Sequence, residues 1–192
     1  MLDSALTFFQ EQLNNYIKVK TGGQTEAAVS FAEVQPPKDL SLQSNAVTQL
    51  LIGLEEERIF RSGASYAHTL SNGTKMAANP NLCLNLHVLF ISNFTDYVES
   101  LRILSLVLKF FRSYRIFERQ RFPSLGNDID KLTTELVNLS FMEQGELWRS
   151  LEMPCSPSAL YKVRMIAFKD TEMEVRDAAS ELAEMQSITS QL

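Results

Sequence analysis

The sequence predicts an α+β domain of mixed α/β element order, in which helices shield one face of a small, largely antiparallel sheet. The main observation is the segment 81–114, where one long alternating strand leads directly into one amphipathic helix. A second alternating strand over 159–168 and an amphipathic helix over 2–20 support the same architecture. The candidate elements follow the order α-β-β-β-α-β-β-α-β-α, and no internal repeat is visible.

The strand and helix of 81–114 are expected to form the core of the domain. One strand face is apolar throughout, with Leu82, Leu84, Leu86, Val88 and Phe90, whereas the other face is polar early and apolar late. Thr95 or Asp96 can cap the helix that follows. Its apolar stripe covers about half of the circumference and comprises Tyr97, Leu101, Ile103, Leu104, Val107, Leu108, Phe110, Phe111 and Tyr114.

Shorter elements are expected on both sides of this unit. Alternation and turn signals predict strands at 27–34, around 47–54 and within 115–122 at a sheet edge. Residues 131–139 fit a helix or a strand, and we favour a strand because Ser140 can then cap the helix that follows. Ser140, with Glu143 at the third helical position, predicts a capped helix over 141–151. Residues 61–80 are rich in turn formers and lack periodicity, so we expect them to form the longest loop.

Length and composition fit one soluble globular domain. A chain of 192 residues that is 45% hydrophobic can bury a core without disulfides, and its two cysteines make no disulfide framework. No apolar run approaches the ~20 residues of a membrane span. The helix over 2–20 has none of the features of a signal peptide. We therefore expect a protein of the reducing cytoplasm with no membrane partner.

The net charge of −5 is concentrated near the C-terminus. Only Arg176 opposes the acidic residues there, which are Asp170, Glu172, Glu174, Asp177, Glu181 and Glu184. An apolar seam at helical spacing comprises Val175, Ala178, Leu182, Met185, Thr189 and Leu192. Such a helix suits docking on another subunit, although a helix packed on its own domain or a frayed acidic terminus fits the pattern too. We divide the chain into a domain at 1–168 and an acidic C-terminal helical extension at 169–192.

The sequence contains no catalytic, cofactor-binding or metal-binding constellation. Phosphate-binding, dinucleotide-binding and nucleophile-elbow motifs are absent. Cys83 and His87 are four residues apart, which on a strand separates them by ~13 Å, too far to share an ion. The consecutive carboxylates of 55–57 alternate between strand faces and predict a solvated rim. We therefore predict no enzyme, no cofactor and no metal.

One cluster points to a binding role. Between residues 109 and 122, aromatic side chains are interleaved with the basic residues Lys109, Arg112, Arg115, Arg119 and Arg121. Such a pattern can bind single-stranded nucleic acid by stacking and phosphate neutralisation. Because most of these aromatics belong to the apolar stripe, they are not free to stack. We favour an acidic protein partner over nucleic acid, with plain solvated charge as the alternative.

Five segments carry a family resemblance. They are LDSALTFFQEQLNNYIK, LLIGLEEERIFR, LCLNLHVLFISNFTDYVESLRILSLVLKFF, ELVNLSFMEQGELWRSL and SPSALYKVRMIAF. In this order and spacing, over 2–168, they resemble the cap or tail-terminator proteins of contractile injection systems of the antifeeding-prophage type. The resemblance implies a fold like that of phage tail terminators. It also implies a structural protein that forms a ring closing the distal end of the inner tube, where tube and sheath stop growing.

The same resemblance implies the partners and the location. The partners are other copies of the chain in a homo-oligomeric ring, a hexamer in the family, together with the inner tube protein and the sheath protein. Assembly in the cytoplasm into a phage-tail-like particle is implied as well. The competing hypothesis is a small α/β ligand-binding or regulatory domain with the 61–80 loop as its lid.

In a head-to-tail ring, each subunit presents two different complementary patches. We assign the basic patch to Arg112, Arg115 and Arg119. We assign the acidic patch to the C-terminal extension, whose candidate interface residues are Asp177, Leu182 and Glu184. On the last strand, Lys162 and Arg164 are placed toward the ring interior or the tube.

Overall fold

The computed structural model describes residues 1–23, 29–35, 39–57, 67–69, 75–77 and 82–167. Within these ranges the helices are α1 (Leu2–Thr21), α2 (Tyr97–Ser113) and α3 (Phe141–Ser150). The strands of the first half are β1 (Val29–Phe31), β2 (Glu33–Gln35), β3 (Asp39–Ser41), β4 (Ala46–Glu56), β5 (Ala67–Thr69) and β6 (Lys75–Ala77). Those of the second half are β7 (Leu82–Asn93), β8 (Ile116–Glu118), β9 (Ile129–Leu136) and β10 (Ser158–Ala167).

Six of these strands form one sheet in the order β1-β4-β7-β10-β9-β8. β1 runs parallel to β4, and the other neighbours in this sheet are antiparallel. The long strands β4, β7 and β10 occupy its centre, while β2–β3 and β5–β6 form separate two-stranded ribbons. The predicted α+β fold with a largely antiparallel sheet flanked by helices is confirmed.

One side of the sheet, which we call the aromatic face, carries Leu86, Val88 and Phe90 of β7. Together with α1 and α2 it forms the main core. Phe111 of α2 lies at the centre of that core, with its ring centroid 5.2 Å from Phe90, 5.5 Å from Phe9 and 4.4 Å from Tyr161. Tilted and edge-to-face contacts of this kind add to the free energy of area burial.

The other side, which we call the mixed face, is apolar at one end only. There Leu89 and Ile91 of β7 and Leu160 of β10 pack against Trp148 of α3. The prediction that helices shield one face is therefore wrong for α3. The physical reason is that the apolar late half of β7 needs cover on this side too, and α3 supplies it.

The structure confirms the predicted N-terminal caps of α2 and α3 and shows how α1 ends. Asp96 caps α2 by accepting a hydrogen bond from the Val98 amide at 3.0 Å. Ser140 and Glu143 form a reciprocal capping box at the start of α3. Gly22 ends α1 in the left-handed conformation, with φ at 67°.

Short elements account for most of the differences from prediction. The strand expected at 27–34 becomes β1, in the main sheet, and β2, in a separate ribbon. The loop expected at 61–80 contains the paired strands β5 and β6, and the edge strand expected within 115–122 is limited to β8. Strands of three residues are too short to produce a readable period of two.

The first turn of α2 also differs from the expected apolar stripe. Tyr97 and Leu101 are 64% and 42% exposed, whereas the buried residues of the helix begin at Ser100. Helical periodicity gives the direction in which a side chain points, but not where the underlying sheet ends.

Candidate subunit interface

Two of the predicted basic residues, Arg112 and Arg115, line one concave surface between α2 and β9, which we call the arginine hollow. Its volume is about 500 Å³, and its lining comprises Leu108, Phe111, Arg112, Arg115, Thr134, Glu135, Leu136 and Tyr161. Phe111 and Tyr161 are buried at its base, and burial raises the pKa of the Tyr161 phenol to about 12. Since both arginines are exposed, the hollow combines an apolar base with a positively charged rim that also carries Glu135.

An incompletely paired strand edge runs along this hollow. β8 pairs with β9 only as far as Thr133, and the Thr134 amide then donates to the carbonyl of Arg115 at 2.9 Å. Antiparallel pairing alternates, so the Leu136 amide points to the same side of the strand as that of Thr134. Since α2 ends at Ser113, no described strand lies opposite Leu136, whose side chain is 45% exposed.

A second concave surface, the tryptophan hollow, lies beside the same strand end. It encloses about 270 Å³, and its lining comprises Leu89, Leu108, Leu136, Val137, Asn138, Leu139, Gln144, Leu147, Trp148, Ser158, Ala159 and Leu160. Leu89, Leu160 and Trp148 belong to the mixed face, whereas Phe111 and Tyr161 of the arginine hollow belong to the aromatic face. The two hollows share Leu108 and Leu136 and therefore meet at the free edge of β9.

The structure separates the other basic residues of 109–121 from this pair. Arg119 donates through Nη2 to the carbonyl oxygens of Gly126 at 3.4 Å and Ile129 at 3.3 Å, and to that of Asn127. Arg121 lies over the ring of Tyr114, 5.5 Å from its centroid. These contacts hold the turn between β8 and β9 in place. Lys109 is an exposed residue of α2 and lies outside the turn between β8 and β9.

The aromatic side chains of the same segment are largely in the core. Phe110, Phe111 and Phe117 are buried, and Tyr114 and Phe122 are partly buried against them. This is the arrangement that the apolar stripe predicted.

Lys162 and Arg164 lie on the mixed face, in the half that α3 does not cover. The Arg164 Nε atom is 2.6 Å from the Glu57 Oε2 atom, and both side chains are half-buried. Lys162 is in register with His87 on one side and Glu135 on the other. The solvated rim predicted for 55–57 is therefore wrong for Glu57, because the sheet register brings an arginine within ion-pair distance, which sequence separation does not reveal.

Several predicted features fall outside the described residues. They are the acidic extension with Asp177, Leu182 and Glu184, and most of the 61–80 segment proposed as a lid.

Sequence reasoning missed two exposed apolar residues at the start of α3. Phe141 is 95% exposed and Met142 is 76% exposed. The sequence carries little signal for this exposure. The spacing of apolar residues in the first turn of a helix is the same whether another element covers that turn or leaves it exposed.

Within the described residues, no group of three or more His, Cys, Asp or Glu side chains could hold a metal ion. In the same part of the chain, no helix combines the length and the apolar character needed to cross a membrane.

Comparison with known proteins identifies the family. The sequence model of the Pvc16 N-terminal domain matches residues 5–180. The chain belongs to this family. The family resemblance predicted from the five segments is confirmed. The match to the Pvc16 N-terminal domain includes residues 169–180, the first part of the predicted acidic extension. No curated protein matches the chain.

Two solved structures are similar to this Pvc16 N-terminal domain. One is the PVC sheath/tube terminator of an extracellular contractile injection system in its extended state, with 18% identity, a TM-score of 0.58, and coverage of 88% of this chain and 57% of that one. The other is the tube-terminating cap of the anti-feeding prophage, with 15% identity, a TM-score of 0.49, and coverage of 83% and 55%. The chain thus spans little more than half the length of these proteins, and it shares the fold of the first.

Proposed function

We propose that the chain is a structural protein that caps the distal end of the inner tube of a contractile injection system and ends the growth of tube and sheath as a ring. The observation that carries this proposal is the family match over residues 5–180. The sheath/tube terminator with the same fold supports this proposal, because the structural similarity extends over 88% of this chain. The proposed partners are further copies of the chain in a hexamer, the inner tube protein and the sheath protein.

A structural rather than enzymatic role agrees with the chemistry of the described polar groups. Glu57, one of the three consecutive carboxylates of 55–57, is held in an ion pair with Arg164. Burial raises the pKa of the Tyr161 phenol to about 12, further above neutral pH than its ordinary value. We propose that the protein has no catalytic activity and that it assembles in the cytoplasm into a phage-tail-like particle.

The ring contact that we propose joins two different patches of neighbouring copies. The basic patch is the arginine hollow, with Arg112 and Arg115 on its rim. The acidic patch is the extension of the next copy, with Asp177, Leu182 and Glu184 among its contacts. Arg119 donates to backbone carbonyls in the turn between β8 and β9, so we assign it to the structure of that turn and not to the charge contact. We propose that Lys162 and Arg164 face the ring interior or the tube.

The test of this function is the length of tubes assembled from purified inner tube protein with and without the chain. Tubes with one capped end and a shortened length distribution in electron micrographs are expected. Tubes of unchanged length and bare ends would contradict the capping function.

The test of the basic patch is charge reversal. Arg112→Glu with Arg115→Glu is expected to abolish the ring in light scattering and to abolish capping, while the wild-type ring loosens as salt screens the contact. The matched control is Lys18→Glu with Lys20→Glu, which makes the same charge change at exposed positions on α1 and should leave assembly intact. Normal assembly of the arginine variant would refute the patch and leave the capping function standing.

A further inference from the structure

The free half of β9 has the geometry of a strand acceptor. Its edge beyond Thr134 has no described strand opposite it, and the Leu136 amide points outward there. An unpaired edge of this kind is a template for a strand from another chain, unless the protein blocks it. Here the edge is bordered by exposed Arg112 and Arg115, and the described residues leave open space beside it.

The two hollows define the side chains that an added strand needs. The arginine hollow opens on the aromatic face of the edge, and the tryptophan hollow opens on the mixed face. Because side chains alternate between the two faces of a strand, every second residue of an added strand would enter the arginine hollow and the others would enter the tryptophan hollow. The best ligand therefore alternates acidic residues with apolar ones.

Residues 171–176 of this chain, TEMEVR, have that alternation. Glu172 and Glu174 share one side of an extended strand, and Met173 and Val175 share the other. We infer that this segment of a second copy pairs with the free half of β9, placing its glutamates beside Arg112 and Arg115 and its apolar residues in the tryptophan hollow. The inference rests on the proposed ring and specifies how one subunit holds the next.

Chain length requires the donor to be a second copy. β10 ends at Ala167, which is in register with Ile129 at the beginning of β9. Thr134, where the free half begins, is five residues further along β9, roughly 17 Å away, and Leu136 is roughly 24 Å away. The four backbone steps from Ala167 to residue 171 span at most about 14 Å, so residue 171 of the same copy cannot reach Thr134. The whole segment 171–176 can therefore lie along the free half only when it comes from a second copy.

This arrangement modifies the helix predicted for the extension without removing it. Residues 171–176 would be extended in the assembled ring. Aspartate is a favoured N-cap residue, so the helix can begin after Asp177 and keep most of the apolar seam.

The proposal can be tested without assembling a particle. The probe is a fluorescent peptide of residues 168–180, and the acceptor is the full chain carrying Met173→Pro and Val175→Pro, which blocks donation by its own segment. Saturable binding is expected in fluorescence anisotropy. Adding Arg112→Glu and Arg115→Glu to the acceptor should weaken binding by about tenfold or more.

A second peptide separates strand pairing from charge attraction. The peptide with N-methylated amides at Met173 and Glu174 keeps every charge and every side chain. Because adjacent amides of a strand point to opposite sides, it lacks one donor toward β9 in either register, so it should bind about tenfold more weakly or worse. Equal binding of both peptides, or no binding of the wild-type peptide, would overturn the strand proposal.

Failure of this proposal can be told from failure of the proposed function. If the wild-type chain caps tubes and the peptide does not bind, strand donation is wrong and capping stands. If the peptide binds as expected and the wild-type chain leaves tubes uncapped, capping is wrong and the strand acceptor stands.

Discussion

The two faces of the sheet are built differently. The aromatic face is covered by two long helices and buries a continuous cluster around Phe111, Phe90 and Phe9. The mixed face is covered at one end only, by the ten-residue helix α3 with Trp148, and its other half carries charged and polar side chains. Burial of apolar area therefore stabilises the domain mainly from one side, which leaves the opposite side and the sheet edge available for contacts.

The same division appears in the strand that both faces share. In β7, Leu86, Val88 and Phe90 are completely buried on the aromatic face, while His87 on the mixed face is only half-buried. Since single mutations in a fully packed core cost more than those at partly covered sites, the comparison can be tested by mutation.

The largest effect is expected on the aromatic face. Phe111→Ala removes a ring that contacts Phe9, Phe90 and Tyr161, so we expect it to lower the free energy of unfolding by about 3–5 kcal/mol. The measurement is urea denaturation followed by circular dichroism. Lys109→Ala, at an exposed position of the same helix, should stay within about 0.5 kcal/mol of wild type. A cost near that of the control would contradict the importance of the aromatic face.

The corresponding change on the mixed face should cost less. Trp148→Ala removes the main apolar contact of α3, and we expect a loss of about 3 kcal/mol or less because the surrounding cluster is small and can relax. Hydrogen exchange should locate the effect in α3 and leave the protection of α2 close to wild type. If the two helices lost protection equally, the faces would be one cooperative unit and the comparison would fail.

Sequence patterns predicted the long elements well because each long element carries its own period. Alternation in β7 and β10 and the caps at Asp96 and Ser140 needed no information from elsewhere in the chain. Contacts between distant segments have no local signal. The Glu57–Arg164 pair and the location of α3 on the mixed face depend on strand order and register. The arginine hollow was half predicted: Arg112 and Arg115 were assigned to one basic patch together with Arg119, but the unpaired edge of β9 beside the first two was not predicted.

A smaller effect is expected in the charged half of the mixed face. In a double-mutant cycle of Glu57→Ala and Arg164→Ala, the coupling free energy should be about 1 kcal/mol, because partial exposure screens the pair. Urea denaturation of the four proteins gives this value. It should fall as salt is added, whereas the loss caused by Phe111→Ala should not. A coupling of zero would place the pair among solvated surface charges.

The smallest effect concerns the attachment of α3 and depends on pH. Hydrogen bonds from Ser140, first from its backbone amide and second from its side chain, hold the pKa of the Glu143 carboxyl below its ordinary 4.5. A carboxyl whose pKa is lower in the folded state stabilises that state above its ordinary pKa. This contribution is lost as the pH falls through the folded value. Glu143→Gln should therefore weaken α3 at neutral pH, and the difference from wild type should disappear in acid.

Trp148 is the one tryptophan of the chain and packs from α3 onto the mixed face, so its fluorescence reports this difference directly. Urea midpoints from tryptophan emission would be compared at neutral and acidic pH for wild type and Glu143→Gln. The matched control is Glu146→Gln, which removes the same charge from an exposed position further along α3. If the control reproduced the pH dependence, net charge and not the capping box would control α3. A dependence confined to Glu143→Gln would show that the cover of the mixed face is set by one local hydrogen-bond pair.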